Sequence, residues 1–278
     1  MAATTLTPER LPGPAVRRLG ASSRVGFAAA MRHTGTLAWR NLVQIKHNPM
    51  EIGDLSLQPI MFLLLFVYVF GGQMAGSSHA YLQYALSGII VQNGLFATLN
   101  TALGLNADIT KGVFDRLRSL PIARSAPLLG RVVADLVKQV WSLVLMLGLG
   151  LLMGFRPGHG VPGILGAMAL MLVFALAMSW LSVLIGLVAK SAEKVQIIAF
   201  VAIFPLTFSS SAYVTVSSMP GWMQAWVKVN PVTALSDAMR GLLGGGAIGA
   251  PLVHSLIWAA ALALVFFPLA LRAYARRA

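Results

Sequence analysis

Between Asp54 and Asp108 the chain carries no Asp, Glu, Lys or Arg. A run of 53 residues without a fixed charge has no side chains with which to wet a soluble surface. It is long enough for two helices of about 20 residues, each crossing a hydrocarbon core about 30 Å thick. The polar stretch Gly71-Gly72-Gln73-Met74-Ala75-Gly76-Ser77-Ser78-His79 divides it, which predicts spans over 57–73 and 82–105. Further apolar stretches predict spans over 132–155, 164–189, 195–216 and 251–271. Composition agrees: 10% of the 278 residues are charged and 57% are hydrophobic, whereas a soluble domain carries roughly 25% charged residues. The expected fold is an all-α membrane protein with six transmembrane helices over 57–271 and a basic tail over 272–278.

Six spans put both ends on one side, and the basic residues say which. Seven Lys/Arg precede the first span, five lie between spans two and three, two between four and five, and three in the C-terminal tail. The opposite side holds only Arg156, Lys228 and Arg240. Seventeen against three predicts cytoplasmic termini. This asymmetry accounts for most of the net charge of +13, and basic loops facing anionic lipid explain it better than nucleic-acid binding does. Cysteine is absent, so disulfides, thiolate metal sites and cysteine nucleophiles are excluded.

Residues 1–26 lack the apolar core of a signal peptide and hold Pro8, Pro12 and Pro14, which predicts a flexible basic cytoplasmic tail. Over 27–44, Leu37, Ala38, Asn41, Leu42 and Ile45 recur at helical spacing beside Arg32, Arg40 and Lys46. That pattern predicts a basic amphipathic helix in the cytoplasmic interface within 27–56, broken by Asn48-Pro49.

Two segments outside the spans hold the clearest functional signals. In the loop after span two, Ile109, Val113, Phe114, Leu117 and Leu120 fall on one helical face and Lys111, Asp115 and Arg118 on another, until Pro121 stops the helix. Such a helix either lies on lipid or docks into a partner's groove. After span five, Trp222, Met223, Trp226 and Val227 form a helical face. Next come Asn230-Pro231-Val232-Thr233, a polar helix over 234–243, and Gly244-Gly245-Gly246. The tryptophans mark an interfacial belt or belong to a re-entrant element that lines an exit path.

Within the spans, Asp135 and Lys138 are the only charged residues, and the expectation is a pair that snorkels to the interface. Gln92, Asn93, Thr98, Asn100 and Thr101 in span two, and Thr207, Ser209, Ser210, Ser211 and Tyr213 in span five, either join helices by hydrogen bonds or line a cavity for an amphiphilic substrate. The substrate-path candidates are Gln92, Asn93, Asn100, Thr207, Ser210 and Tyr213. Gly150 and Gly154 form a weak GxxxG. No GxSxG or HExxH occurs and the histidines show no metal spacing. Around Lys190-Ser191 a phosphate loop would need glycine where Ala189 and Leu184 stand, so no nucleotide site, metal or cofactor is expected on this chain. A secondary transporter would want acids in mid-span, and an intramembrane enzyme would want a nucleophile and base at catalytic spacing. Neither pattern is present.

Six spans, the entry helix and the loop helix resemble a type-2 ABC (ABC-2) export permease. The stretch Lys111-Gly112-Val113-Phe114-Asp115-Arg116-Leu117-Arg118-Ser119-Leu120-Pro121-Ile122-Ala123-Arg124 resembles the daunorubicin/doxorubicin-resistance-type permease subunit nearly residue for residue. So do Leu65-Phe66-Val67-Tyr68-Val69-Phe70-Gly71-Gly72, Phe204-Pro205-Leu206-Thr207-Phe208, Met219-Pro220-Gly221-Trp222 and Asn230-Pro231-Val232-Thr233. Ser209-Ser210-Ser211 is more polar than that pattern. The resemblance runs from about residue 37 to the C-terminus and implies the ABC-2 permease fold in a bacterial cell membrane. It implies a half-transporter: two permease chains pair, each engages a separate cytoplasmic ATPase that binds ATP and Mg, and the cargo is an anthracycline or another hydrophobic natural product, or a lipid. On this reading Ile109, Lys111, Val113, Phe114, Asp115, Arg116, Leu117 and Arg118 form the ATPase-coupling helix, and Trp222, Asn230, Pro231 and Thr233 belong to an outer re-entrant motif.

Overall fold

The computed structural model of the chain describes residues 27–46, 49–113 and 126–277. Among the described residues there are helices and turns and no strand. The entry helix α1 (Phe27–Lys46) packs along α5 (Ala126–Leu152). Its small faces allow this: Gly130 of α5 sits against Leu37 and the Thr34 carbonyl, leaving no room for a Cβ.

Helix α2 (Pro49–Leu65) begins on proline, whose missing N–H costs nothing in a first turn. It continues through a π-helical turn (Phe66–Phe70) into α3 (Gly71–Ala75), and Gly76 at φ 72° ends the run. Ser77 caps α4 (Ser78–Thr110) by accepting a hydrogen bond from the Ala80 N–H at 3.1 Å. At about 1.5 Å per residue the 33-residue α4 is roughly 50 Å long, more than a hydrocarbon core requires. It is also heavily buried, touching α5, α6 (Gly160–Val188), α7 (Ala192–Phe208) and α9 (Pro231–Gly244). Helix α10 (Gly249–Arg277) closes the bundle against α6. The main core gathers Tyr81, Leu86, Ile89 and Leu95 of α4 with Leu143 and Met146 of α5 and Met171 and Phe174 of α6.

Among the described residues, five stretches are long and apolar enough to cross a membrane: Leu55–Ala75, Ser78–Thr110, Ala126–Leu152, Gly160–Val188 and Gly249–Arg276. The chain is a multi-pass membrane protein. The expected span over 195–216 is corrected: α7 stops at Phe208 after 17 residues. A turn, a short 3-10 segment (Val216–Ser218) and the exposed helix α8 (Gly221–Val229) follow. The GxxxG expectation also fails, because Gly154 lies beyond the end of α5 at φ +96°.

Candidate functional site

The structure divides the substrate-path candidates between two places. Asn93 and Asn100 are seven residues apart on α4, two turns along one face, and both line a cleft of about 470 Å³ walled by α4 and α5 and flanked by α2 and α7. Asn93 donates through Nδ2 to Ser142 Oγ at 2.8 Å. Gln92, one residue away, is buried and lies outside this cleft.

Across from the asparagines, α5 contributes Arg131, Asp135, Lys138, Gln139 and Ser142. Arg131 Nη1 meets Asp108 Oδ2 at 2.8 Å, and Arg131 Nε lies 3.9 Å from Asp135 Oδ2. Asp135 Oδ1 lies 3.5 Å from Lys138 Nζ. A chain of alternating charge thus joins α4 to α5. The pair expected to snorkel towards the interface is turned inwards instead, with the Asp135 side chain 11% exposed. The reason is Arg131: read as a loop residue in the sequence, it is helical and supplies a second cation beside Asp135. Gly104 and Gly94 of α4 make the room. A Cβ at Gly104 would strike the Arg131 guanidinium, and one at Gly94 would strike Gln139 Nε2 at 2.6 Å. The missed signal was a polar stripe at helical spacing, Arg131, Asp135, Lys138, Gln139 and Ser142.

Thr207 sits instead in the last turn of α7, and Ser210 and Tyr213 in the turn that follows it. Thr207 and Ser210 donate to the carbonyls of Ile203 and Thr207, and the Tyr213 ring stacks on Phe66 at 4.7 Å. This turn is held by the expected Asn-Pro-x-Thr motif. Asn230 Nδ2 donates to the Leu206 carbonyl at 2.7 Å and the Ser209 carbonyl at 2.8 Å, satisfying acceptors that the end of α7 leaves open. Its Oδ1 accepts from the Val232 N–H at 2.8 Å and so caps α9. Pro231 fills the first helical position, and Thr233 Oγ1 accepts from the Ser211 N–H. Trp222 is exposed, and Trp226 donates through Nε1 to Ser209 Oγ.

The sequence reading overlooked the ionic part of this cluster. Arg240 reaches Asp237 Oδ1 at 2.6 Å, the Ser211 carbonyl at 2.8 Å and the Tyr84 carbonyl at 3.3 Å, with its guanidinium carbon 3.9 Å from the Tyr84 ring centre. Tyr84 Oη donates to the same Ser211 carbonyl at 2.9 Å. The turn is thereby fastened to α4.

At the other end of α4, Ile109 is half-buried in the helix itself, and Lys111 caps it through its N–H to the Ala107 carbonyl. Gly112 follows at φ 66°. The expected single helix from Ile109 is therefore corrected: its first residue belongs to α4, and a left-handed glycine separates it from Val113. Phe114, Asp115, Arg116, Leu117 and Arg118 lie outside the described residues.

A profile of the ABC-2 type transporter family matches residues 32–243. The chain belongs to this family. The matched region takes in the helices from α2 to α8, all but the last residue of α9 and most of α1, hence both the cleft and the outer turn of this ABC-2 chain. The chain is 40% identical over 256 residues to the daunorubicin resistance ABC transporter permease protein DrrB1 of Streptomyces coeruleorubidus, covering 92% of this chain and 90% of that one. It is 27% identical over 267 residues to a protein of Mycobacterium tuberculosis strain H37Rv named "probable doxorubicin resistance ABC transporter permease protein DrrC", covering 94% and 91%. It is 26% identical over 194 residues to the doxorubicin resistance ABC transporter permease protein DrrB of the same strain, covering 67% of each. Among the described residues, no group of His, Cys, Asp or Glu side chains is arranged to hold a metal ion.

Proposed function

We propose that this chain is the membrane-spanning permease subunit of an ATP-driven ABC exporter that carries an amphiphilic compound, an anthracycline-like drug or a related natural product, out of a bacterial cell. The observation that carries the proposal is the 40% identity, across 92% of the chain, to a permease whose name states daunorubicin resistance. The cleft supports it, because a polar hollow within otherwise apolar helices suits a ligand with both apolar and polar parts. Two copies pair in the membrane, each engaging a separate cytoplasmic ATPase that binds ATP and Mg. Helix α7 is the sixth membrane-crossing element, made short by the re-entrant turn, and both termini are cytoplasmic.

In this reading the segment after Gly112 is the coupling element, with Phe114 as its anchor and Lys111, Asp115, Arg116 and Arg118 as its polar rim. An aromatic side chain buries the largest area in a groove and is a common hot spot. Movement there is delivered to α4, whose opposite end is tied to the outer turn through Tyr84 and Arg240. Phe114→Ala should reduce ATPase association and abolish export while membrane insertion persists. The native chain has no cysteine, so a single cysteine at position 116 or 118 reports cleanly. Each should crosslink to the ATPase with a yield that changes with nucleotide. Absence of crosslinking at both positions in an exporting complex would remove the coupling role.

A further inference from the structure

Helix α1 is seated on α5 by one face. Leu37 and the Thr34 carbonyl close on Gly130, and Ala38 beside them is buried. Leu37 and Ala38 belong to the face that the sequence assigns to the membrane interface, so part of that face is covered by protein. The opposite face is open. Arg32, Gly35, Thr36 and Trp39 recur on it at i, i+3, i+4 and i+7, with Arg40 next to Trp39, and all five are exposed. Trp39 is 68% exposed, a poor use of a large indole if water is all it meets.

The neighbours of α1 set the level of this face. Its seat at Gly130 adjoins Arg131, which pairs with Asp108 at 2.8 Å. Asp108 is the first charged residue after the uncharged run that begins beyond Asp54. The middle of α1 therefore stands where hydrocarbon gives way to charge, the depth at which headgroups and tryptophan rings meet. The charge of the helix has one sign: α1 holds three Lys/Arg and no Asp or Glu, and the ion pairs among the described residues are made by Arg131, Lys138 and Arg240. Thr36 Oγ1 is turned back onto the Arg32 carbonyl at 2.9 Å. Two guanidiniums and an indole N–H remain, all of them donors, and they call for an anionic acceptor. Arg32 and Arg40 are eight residues apart, about 12 Å along the axis, which suits separate phosphates side by side better than one free phosphate. An acidic protein surface would answer the arginines and leave the Trp39 ring without an apolar neighbour.

We infer that the outer face of α1 is a binding site for anionic phospholipid, with Arg32 and Arg40 on headgroup phosphates and Trp39 at the acyl boundary. Phosphatidylcholine also carries a phosphate, but its own ammonium neutralises it, so an unpaired basic face selects a headgroup of net negative charge. The inference goes beyond the exporter reading and holds whatever the cargo. Lipid held there also steadies the seat of α1 beside Arg131, at the end of α5 that is paired to α4.

The test uses the full-length permease in nanodiscs of mixed phosphatidylcholine and phosphatidylglycerol. The native chain has no cysteine, and a Cβ at Gly35 meets nothing within 4 Å, so Gly35→Cys carries a bimane label on this face. The label is quenched by a trace of lipid with a nitroxide on its acyl chain just below the headgroup, supplied with either headgroup. The phosphatidylglycerol quencher should act as though locally enriched about fivefold or more over the phosphatidylcholine one, the worth of one arginine near an anionic surface. Arg32→Gln with Arg40→Gln should bring the ratio close to one, and Arg32→Lys with Arg40→Lys should keep most of it. Should the glutamine pair fail to insert, salt at about 1 M decides on the labelled parent, because screening should then lower the ratio; an unchanged ratio counts against the arginines. Equal quenching by the two lipids overturns the inference. So does loss of the ratio on adding millimolar glycerol phosphate, which would make the face a soluble-phosphate site. Strong quenching by aqueous iodide with little by either lipid would place the face in water, open to a protein or nucleic-acid partner, and would sink the inference too. Each of these failures leaves the exporter reading standing, whereas loss of drug export with lipid selectivity intact would count against that reading alone.

Discussion

Gly88 lies in the interior of α4, where alanine would ordinarily strengthen the helix by up to about 1 kcal/mol. Here the sign should reverse. A Cβ at Gly88 would stand 2.0 Å from the Ala212 carbonyl oxygen and 2.5 Å from its carbon, whereas ordinary contact begins near 3.4 Å. These are backbone atoms of the turn after α7, so no side chain can rotate away, and the turn must retreat by about 1.4 Å (3.4 less 2.0). Such a shift carries the neighbouring Ser211 carbonyl with it. That carbonyl accepts from Tyr84 Oη at 2.9 Å and from Arg240 Nη2 at 2.8 Å, and both bonds would stretch beyond useful length. A neutral hydrogen bond contributes about 1 kcal/mol and one from a charged donor about 1.5–3 kcal/mol, with the half-exposed setting of the Arg240–Asp237 pair favouring the lower end. Against the helical gain, Gly88→Ala should destabilise by about 2 kcal/mol. Gly148→Ala is the control. It too is in a helix interior, but nothing lies within 4 Å of its added Cβ, so it should be neutral or stabilising. Unfolding in mixed micelles by titration with SDS, followed by tryptophan fluorescence, measures both. If Gly88→Ala proves as stable as Gly148→Ala, the turn is not seated on α4 and the account of the outer cluster fails.

Two further outcomes follow from the same geometry. Asn230→Asp keeps the oxygen that caps α9 but loses both donors to the Leu206 and Ser209 carbonyls, and should cost about 2–3 kcal/mol in the same titration; a value near zero would show that the bonds between the end of α7 and Asn230 carry no stability. Reporter fusions at Met1 and Ala278 should read cytoplasmic and an insertion after Ser78 external, as the Lys/Arg asymmetry requires; an external C-terminus would mean an odd number of crossings.

The spans were legible because hydropathy acts locally: a long uncharged stretch has one low-energy place in a bilayer whatever it packs against. Turn signals were legible for a similar reason. Gly76 and Gly245 take left-handed conformations that glycine alone reaches cheaply, and both end helices where the sequence placed breaks. The end of α7 was not legible. Ser209 to Val216 holds no charge and no proline to stop a hydrophobic helix. What stops it is Asn230, more than twenty positions further on, offering better partners to the last carbonyls than another helical turn would. Arg131 was misplaced for a related reason. A charge near an apolar stretch reads as a boundary, yet a charge with partners on two sides can stand inside the helix, as Asp108 and Asp135 allow here.

The glycines of α4 explain why the cleft in particular escaped the sequence reading. Gly88 admits the backbone of Ala212, Gly94 admits Gln139 and Met171, and Gly104 admits Arg131. Each weakens the isolated helix, and each contributes only once another element fills the notch. The polar groups that fill two of them are on α5, so inspection of span two alone yields glycines and asparagines with no evident purpose, and inspection of span three alone yields a charged pair that looks bound for the interface. The two helices run antiparallel, Gly104 facing Arg131 and Gly94 facing Gln139, so the site exists only as a register between them. That register makes a demand of its own. The Asp108–Arg131 bond fixes α5 near the end of α4 that leads into residues 111–113, while Tyr84 fixes the outer turn near the other end. A displacement delivered at Ile109 must then move α5 with α4 or break the Asp108–Arg131 pair, and in either case it reaches the cleft before it reaches the outer turn.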